Sequence, residues 1–67
     1  MYQLLKDYNG QIDTVKNVEL NAFIPFDPAN TDYQQFKTDV ASGVELQDAA
    51  GNVMTQAEVD AFLKTIP

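Results

Sequence analysis

The feature that most limits the fold is a pair of prolines three residues apart near the middle of the chain. Pro25 and Pro28 lie in the segment IPFDPANTDYQQF. Proline has no amide hydrogen and disfavours helical backbone in the residue before it, so Ile24 and Asp27 are expected to be extended. Pro25 also ends any β-ladder that reaches it. Residues 26–31 are therefore predicted to be a stiff extended connector, with strands before it and helices after it.

The segment before the prolines carries a hairpin signal. Asn9-Gly10 is typical of a two-residue type I′ turn, in which both central residues have positive φ. This turn predicts an antiparallel register in which Lys6 faces Asp13 as a cross-strand ion pair. The other predicted pairs are Tyr8–Gln11, Leu4–Val15 and Tyr2–Asn17 on the same face, and Met1–Val18, Leu5–Thr14 and Asp7–Ile12 on the opposite face. Neither face is uniformly apolar, so the pattern leaves open which one is buried.

Residues 18–24, VELNAFI, alternate again along the chain. Val18, Leu20, Ala22 and Ile24 fall on one side, and a period of two is typical of a strand. The segment is either a continuation of the second strand after a kink or a short third strand.

Two segments after the connector carry helix-start signals. Thr31 with Gln34, and Thr55 with Glu58, match the capping-box pattern. They predict helix 1 over residues 32–43, with Gly43 as its left-handed C-terminal cap, and helix 2 over residues 55–66. The spacing of Tyr33, Phe36, Lys37 and Val40 predicts one buried stripe in helix 1, with the aliphatic stem of Lys37 able to flank it. Val59, Phe62, Leu63 and Ile66 form the predicted stripe of helix 2. Residues 44–54 between them are predicted to be a loop or a minor hairpin.

Together these elements predict one small α+β domain over residues 1–67. Residues 1–25 form an N-terminal antiparallel hairpin of two or three short strands, followed by the proline-rich connector and two short capped helices. The chain has 67 residues with no Cys and no His. Disulfides are excluded, and a single core of this size seldom contributes more than about 3–5 kcal/mol. Oligomerisation or docking on a partner is the remaining way to add stability.

The charge balance limits the classes of partner. Four Lys stand against ten Asp plus Glu, a formal net charge of −6. Such a surface repels phosphate, so neither a nucleic acid nor a membrane is expected as a partner. The N-terminus does not match a signal peptide, which predicts a soluble protein made in the cytoplasm.

Catalysis and metal binding have little support in the residue types. Without His or Cys the commonest general base and the strongest nucleophile at neutral pH are missing. The segment DAAGNVMTQAE has the composition of a calcium loop. With Glu58 as the last ligand, however, Gln47 takes the first ligand position and Asn52 the position of the required Gly. No catalytic residue, metal site or cofactor is therefore predicted.

Two aromatic residues, Phe23 and Phe26, flank Pro25 and raise a separate question. On a rigid connector both rings are not expected to fold inward, so one of them is a candidate anchor for a partner surface. The alternative is that both cover the edge of the sheet. Phe23, Pro25, Phe26 and Pro28 are the predicted partner-binding residues. The residues assigned to turns and caps are Asn9, Gly10, Thr31, Gln34, Gly43, Thr55 and Glu58.

The middle of the chain also contains a longer pattern. It consists of Ile24, Pro25, Asp27, Pro28, Ala29, Asn30, Asp32, Tyr33 and Phe36, followed by a short helix that ends at Gly43. This Ile-Pro-x-Asp-Pro-Ala-Asn-x-Asp-Tyr motif resembles one in small tailed-bacteriophage virion-associated or tail-region accessory proteins. The opening MYQLLKD is similar to the first strand of such proteins. Many of them continue after the Gly with an Asn-Thr-Pro run, where this chain has VELQD.

The resemblance implies a non-enzymatic structural accessory protein. Its partner would be a larger phage capsid or tail protein, on which it docks as a capsid decoration or tail component, with self-association as a further option. It would be made in the host cytoplasm and located in the virion. The alternative is a non-virion helper, such as a tail-fibre assembly chaperone or a small regulator. No catalytic residue is implied, because Asp27, Asn30 and Thr31 are placed to bond the backbone of the connector and helix.

Overall fold

Four strands form one mixed sheet in the computed structural model, which describes residues 1–67. In chain order the elements are β1 (Tyr2–Lys6), β2 (Ile12–Asn17), β3 (Ala22–Pro25), α1 (Thr31–Ala41), β4 (Leu46–Gln47) and α2 (Gln56–Leu63). The order across the sheet is β3-β2-β1-β4, with β1 to β3 antiparallel and β4 parallel to β1. The predicted α+β class is confirmed, and the short third strand is present.

The core lies between one face of the sheet and the two helices. Its buried side chains are Tyr2, Leu4, Val15, Ile24, Tyr33, Phe36, Val40, Leu46 and Val59. The two helical stripes are confirmed: α1 buries Tyr33, Phe36 and Val40, and Phe62, Leu63 and Ile66 pack against the core beside Val59. The Tyr2 hydroxyl donates to the Asp39 carboxylate at 2.6 Å, which ties β1 to α1.

The first hairpin departs from its predicted register near the turn. Leu4 pairs with Val15 and Leu5 with Thr14 as predicted, but Lys6 pairs with Ile12. Asp13 is therefore an extra residue in β2, a β-bulge. The predicted Lys6–Asp13 ion pair is wrong, since Lys6 forms no salt bridge. The bulge has a packing consequence: Ile12 packs against the core, whereas regular alternation from Val15 would place it on the opposite face.

The turn of this hairpin is built on Asp7. The Asp7 Oδ1 accepts the N–H groups of Asn9 and Gln11 at 2.8 and 3.0 Å, and the Gly10 N–H donates to the Asp7 carbonyl at 3.0 Å. Gly10 has φ of +82°, but Asn9 is not among the residues with positive φ. The predicted two-residue type I′ turn at Asn9 and Gly10 is therefore wrong. The chain instead reverses through a four-residue turn from Asp7 to Gly10, and the Asp7 carboxylate satisfies two backbone N–H groups of the loop.

The same turn recurs at Asp48. Its Oδ1 accepts the N–H groups of Ala50 and Asn52, each at 2.9 Å, and the Gly51 N–H donates to the Asp48 carbonyl at 3.0 Å. This closes the minor hairpin that the sequence allowed for residues 44–54. The pairing of β4 with β1 was not predicted, because a strand of two residues has no period to detect.

Residues 18–21 form the turn between β2 and β3 rather than part of a strand. Asn21 adopts φ of +51°, which allows the chain to reverse. Val18 and Leu20 therefore do not share a strand face with Ile24: they expose 36% and 74% of their surface, whereas Ile24 is buried.

The predicted extended connector is also a turn. The Asp27 Oδ1 accepts the Ala29 N–H at 3.0 Å, and the Asp27 carbonyl accepts the Asn30 N–H at 2.8 Å. Pro25 does end β3 as predicted. The chain therefore reverses tightly between Pro25 and α1, because the Asp27 side chain stabilises the turn locally.

The start of α1 corrects the predicted cap. The helix runs from Thr31, and its N-cap is Asn30, whose Oδ1 accepts the Tyr33 N–H at 3.1 Å. Thr31 is thus the first helical residue and not the cap. Gln34 donates to the Pro28 carbonyl at 2.7 Å instead of completing a capping box with Thr31.

The remaining caps agree with the prediction. Gly43 follows α1 with φ of +110°, as a left-handed C-terminal cap requires. At α2 the Glu58 N–H donates to the Thr55 hydroxyl at 3.2 Å, and the Thr55 N–H donates to the Glu58 carboxylate at 2.9 Å. This capping box is complete. The helix itself ends at Leu63, three residues before the predicted boundary at residue 66.

We expect Asn30→Ala to lower the free energy of unfolding by about 1 kcal/mol, because the Tyr33 N–H loses its acceptor. Thr31→Ala is the matched control. The Thr31 side chain is exposed, so its loss should change the free energy of unfolding by less than about 0.5 kcal/mol. Urea unfolding followed by circular dichroism measures both variants. A larger loss in Thr31→Ala than in Asn30→Ala would contradict the cap assignment.

Candidate docking surface

Both helices pack against the same face of the sheet, and no helix covers the other face. Side chains alternate along a strand, and Tyr2, Leu4, Val15 and Ile24 point into the core. The residues between them therefore point away from the helices. These are Gln3, Leu5, Thr14, Lys16, Phe23, Pro25 and Gln47, which we term the open face.

Phe23 and Lys16 lie side by side in one row across the open face, with Phe23 on the edge strand β3. Cross-strand pairing places Lys16 between Gln3 of β1 and Phe23 of β3. Phe23 exposes 64% of its surface. The Lys16 Nζ lies 5.6 Å from the centroid of the Phe23 ring, within the range of a cation–π interaction. The two side chains form one surface feature, with an apolar ring and a positive charge beside it.

Charges of both signs lie at the open face. The Thr14 hydroxyl donates to the Asp13 Oδ1 at 3.2 Å, and the Gln47 side-chain amide donates to the Glu45 Oε2 at 3.2 Å. Lys16 is the positively charged residue of this face. The one salt bridge in the molecule joins the Met1 amino group to Glu19 at 2.5 Å, so Lys16 has no ion-pair partner within the chain.

The structure separates the four predicted partner-binding residues. Phe23 and Pro25 lie on the open face, and Pro28 is exposed in the turn before α1. Phe26 instead points into the core, where its ring packs 5.1 Å from that of Tyr33. It continues the core-facing side of β3 beyond Pro25. A partner-binding role for these residues stays a prediction, and Phe23 is the one with an accessible ring.

The outer edge of β3 offers little for the addition of another strand. The Phe26 N–H donates to the Asp13 carbonyl at 3.1 Å. Bonds alternate along an antiparallel ladder, so Phe23 and Pro25 direct their backbone groups outward. Pro25 has no N–H, and its carbonyl accepts the Asp27 N–H at 2.9 Å. The edge therefore presents the backbone groups of one residue, which favours contact through the face.

Sequence reasoning missed Lys16. Its position depends on two pairings, Lys16 with Gln3 and Lys16 with Phe23. The first follows from the register predicted for the lower part of the hairpin. The second requires the third strand to begin at Ala22, after the turn at residues 18–21. The sequence left that boundary open, so it could not place Lys16 beside Phe23.

Of the four ionisable groups with displaced pKa values, Tyr2, Tyr33 and Asp39 lie on the covered side of the sheet. The fourth is Glu19 in the turn between β2 and β3, where the hydrogen bond from the Met1 amino group lowers the pKa of its carboxyl. Burial and the hydrogen bond to Asp39 raise the pKa of Tyr2 to about 12. The same bond, together with one from Gln35, lowers the pKa of the Asp39 carboxyl. These contacts join β1 to α1 and are structural.

No cavity is present, and no group of three or more acidic residues is placed to hold a metal ion. Neither α-helix has the length and apolar character needed to span a bilayer. No family model matches this chain, and no curated protein or solved structure is found to be similar to it.

Proposed function

We propose that this chain is a non-enzymatic structural accessory protein of a tailed-bacteriophage particle, and that it docks on a larger capsid or tail protein through the open face. The observation that carries the proposal is Phe23. Its ring is 64% exposed on a sheet face that no helix covers. Covering apolar surface gains about 25 cal/mol per Å². A partner that covers Phe23 therefore gains binding energy from the burial of its ring.

The residue types of the open face match those of protein interfaces. Interface centres are depleted in charged residues and enriched in aromatic ones, and a few anchors contribute most of the affinity. Phe23 is such an anchor, Leu5 and Pro25 add apolar surface, and Thr14 adds a hydroxyl. The strands hold these side chains in place before binding, so little conformational entropy is lost on docking.

The resemblance to phage accessory proteins supports the class of assembly. In this chain its motif residues act on the backbone: Asp27 forms the turn after β3, Asn30 caps α1, and Tyr33 packs in the core. They set the direction in which the chain leaves β3. In the proposal the motif is the support of the docking surface rather than the surface itself.

The small core gives a second reason for docking. Nine of 67 residues are buried. Chains of this size usually need a disulfide, a metal or a partner for added stability. Binding to a larger assembly stabilises the folded state by mass action. Nucleic acid and membrane are not proposed as partners, because the net charge of −6 opposes contact with phosphate groups.

Mass spectrometry of purified particles of the encoding phage tests the proposal. We expect the wild-type chain to be present in many copies, and Phe23→Ala to be depleted from particles at least about tenfold, as for loss of an interface anchor. Tyr8→Ala is the matched control, because Tyr8 is 99% exposed at the tip of the first hairpin, away from the open face.

Each other result has a defined meaning. A chain present in the infected-cell lysate but missing from particles would favour the non-virion helper and overturn the proposal. Particles that retain Phe23→Ala as well as the wild type would show that the chain docks through another surface. Turnover of a small substrate by the purified chain would contradict a non-enzymatic role.

A further inference from the structure

Asn9 is the one asparagine of the chain that precedes a glycine. An asparagine can lose its side-chain amide when the backbone nitrogen of the next residue attacks the side-chain carbonyl carbon, and glycine has no side chain to hinder that attack. The other asparagines precede Val, Ala, Thr and Val; they are Asn17, Asn21, Asn30 and Asn52. Asn9 is also exposed to water, which is the second reactant. Sequence and exposure therefore make Asn9 the reactive asparagine.

The reaction has two steps. In the first, the Gly10 nitrogen forms a bond to the Asn9 Cγ, the bond from Cγ to Nδ2 breaks, and the Gly10 proton leaves with the departing ammonia. The product is a five-membered succinimide ring. In the second step, water adds to one of the two ring carbonyls and gives aspartate or isoaspartate. The first step is possible only when the Gly10 nitrogen can reach Cγ.

The turn from Asp7 to Gly10, which we term the Asp7 turn, holds that nitrogen away from Cγ. The Gly10 N–H donates to the Asp7 carbonyl at 3.0 Å, and neither Tyr8 nor Asn9 has positive φ. Types II, I′ and II′ require positive φ at a central residue, so this turn is type I, in which the third residue has ψ of about 0°. At that ψ the Gly10 nitrogen eclipses the Asn9 backbone nitrogen, whereas ring closure requires it to eclipse the Asn9 Cβ.

Asp7 keeps the turn closed through both its backbone and its side chain. The Asp7 Oδ1 accepts the N–H groups of Asn9 and Gln11, and the Asp7 N–H donates to the Gln11 carbonyl at 2.8 Å. The hydrogen atom that the reaction removes from Gly10 is the one bound to the Asp7 carbonyl. Rotation of the Gly10 nitrogen toward the Asn9 side chain breaks this bond. The turn must therefore open locally before the reaction can begin.

We infer that Asn9 is a site of spontaneous deamidation that the Asp7 turn protects, so that Asp7 controls how fast this modification occurs. The inference does not depend on the proposed function. Isoaspartate adds a methylene to the backbone between Asp7 and Gly10, so a chain with this product does not close the same turn. The modification also adds a negative charge at the tip of the hairpin, and no group in the chain reverses it.

Peptide mapping of the aged protein tests the inference. The purified full chain is incubated at mildly alkaline pH and then digested with trypsin. Cleavage after Lys6 and Lys16 releases residues 7–16, in which Asn9 is the one asparagine. Liquid chromatography with mass spectrometry separates and quantifies the asparagine, aspartate and isoaspartate forms. A synthetic peptide of residues 7–16 gives the rate without the turn. We expect the folded chain to react at least about tenfold more slowly, because opening breaks hydrogen bonds to a charged acceptor.

Two variants separate the Asp7 turn from the stability of the whole fold. Asp7→Ala removes the carboxylate that closes this turn, and we expect the rate at Asn9 to rise at least about fivefold above that of the wild type. Asp48→Ala is the matched control, because it removes the corresponding carboxylate of the second turn and leaves the Asp7 turn unchanged. Its rate at Asn9 should stay within about twofold of the wild type, since local opening governs the reaction.

Amide hydrogen exchange of the wild-type chain supplies a measurement that needs no variant. The same opening exposes the Gly10 nitrogen to exchange and to deamidation. The slowing of exchange at Gly10 relative to the peptide should therefore equal the slowing of deamidation at Asn9. A Gly10 amide that exchanges as fast in the folded chain as in the peptide would contradict the inference.

Each other result also has a defined meaning. A wild-type chain that deamidates as fast as the peptide would overturn protection by the turn. Equal acceleration in Asp7→Ala and Asp48→Ala would assign the protection to the stability of the whole fold and overturn the role of Asp7. Faster deamidation at any other asparagine than at Asn9 in the unfolded chain would overturn the choice of site.

Discussion

Phe36→Ala should leave the isolated chain largely unfolded at room temperature. The Phe36 side chain is fully buried, and its ring packs 5.1 Å from Tyr2 and 6.1 Å from Tyr33. Replacing a buried Phe by Ala typically costs about 3–5 kcal/mol, because it removes apolar contacts and leaves a cavity. That cost is comparable with the ~3–5 kcal/mol that a single core of this size contributes. Far-UV circular dichroism and urea titration measure the loss directly.

Phe23→Ala is the matched control, because it makes the same chemical change on the other face of the sheet. Phe23 is mostly exposed and contacts Lys16 as its one cation–π partner. We expect a loss of about 1 kcal/mol or less, since exposed cation–π pairs contribute about 0.5–1 kcal/mol. Equal destabilisation by the two substitutions would contradict the assignment of the core to the Phe36 side of the sheet.

The two phenylalanines therefore separate stability from binding. Phe36 is required for the fold, so absence of the Phe36→Ala variant from particles would reflect unfolding and would not test docking. Phe23→Ala should remain folded and still be depleted from particles. The two measurements together decide whether an exposed aromatic ring in this chain has a role beyond packing.

The helices were the part of the fold that the sequence predicted well. Tyr33, Phe36 and Val40 repeat with helical spacing, and the structure buries all three. A stripe of this kind is a strong signal, because burying it requires one conformation over several turns. Thr55 with Glu58 also formed the expected box, since each side chain satisfies a backbone N–H of the other residue.

The cap of α1 shows where a local pattern fails. Asn30 and Thr31 are both good N-cap residues, and the Thr31–Gln34 spacing favoured Thr31. The turn that begins at Asp27 decides between them. The Asp27 carbonyl accepts the Asn30 N–H. This bond holds Asn30 directly before the helix, where its side chain reaches the Tyr33 N–H. The competing Asp27 turn was not part of the capping pattern.

The open face was the least predictable part of the candidate site. Phe23 was singled out because it flanks Pro25, but its direction depends on where β3 begins. Lys16 could be placed beside Phe23 only when the pairing of β2 with β3 was known. Such pairing is set by contacts between residues distant in sequence, and a short strand carries few of them.

The predicted register of the first hairpin was wrong near its turn, because the turn is formed by the Asp7 carboxylate. Replacing Asp7 should therefore also have a large effect on stability. Asp7→Ala should lower the free energy of unfolding by about 2 kcal/mol, because hydrogen bonds to a charged acceptor contribute about 1.5–3 kcal/mol. The Asp7 carboxylate accepts from the Asn9 and Gln11 N–H groups. Urea unfolding measures the loss, and amide hydrogen exchange should show faster exchange at Gln11.

Asp7→Asn is the matched control, because its amide oxygen can still accept both N–H groups. It should retain most of the stability, with a loss of about 1 kcal/mol or less for the change from a charged to a neutral acceptor. Asp48→Ala makes the same test at the second turn, whose carboxylate accepts from the Ala50 and Asn52 N–H groups. In a type I′ turn at Asn9 and Gly10 the Asp7 side chain would have no such partners. Unchanged stability of Asp7→Ala would therefore support a type I′ turn at Asn9 and Gly10. A large loss of stability would establish that the carboxylate, rather than the Asn-Gly pair, determines the turn and the bulge at Asp13.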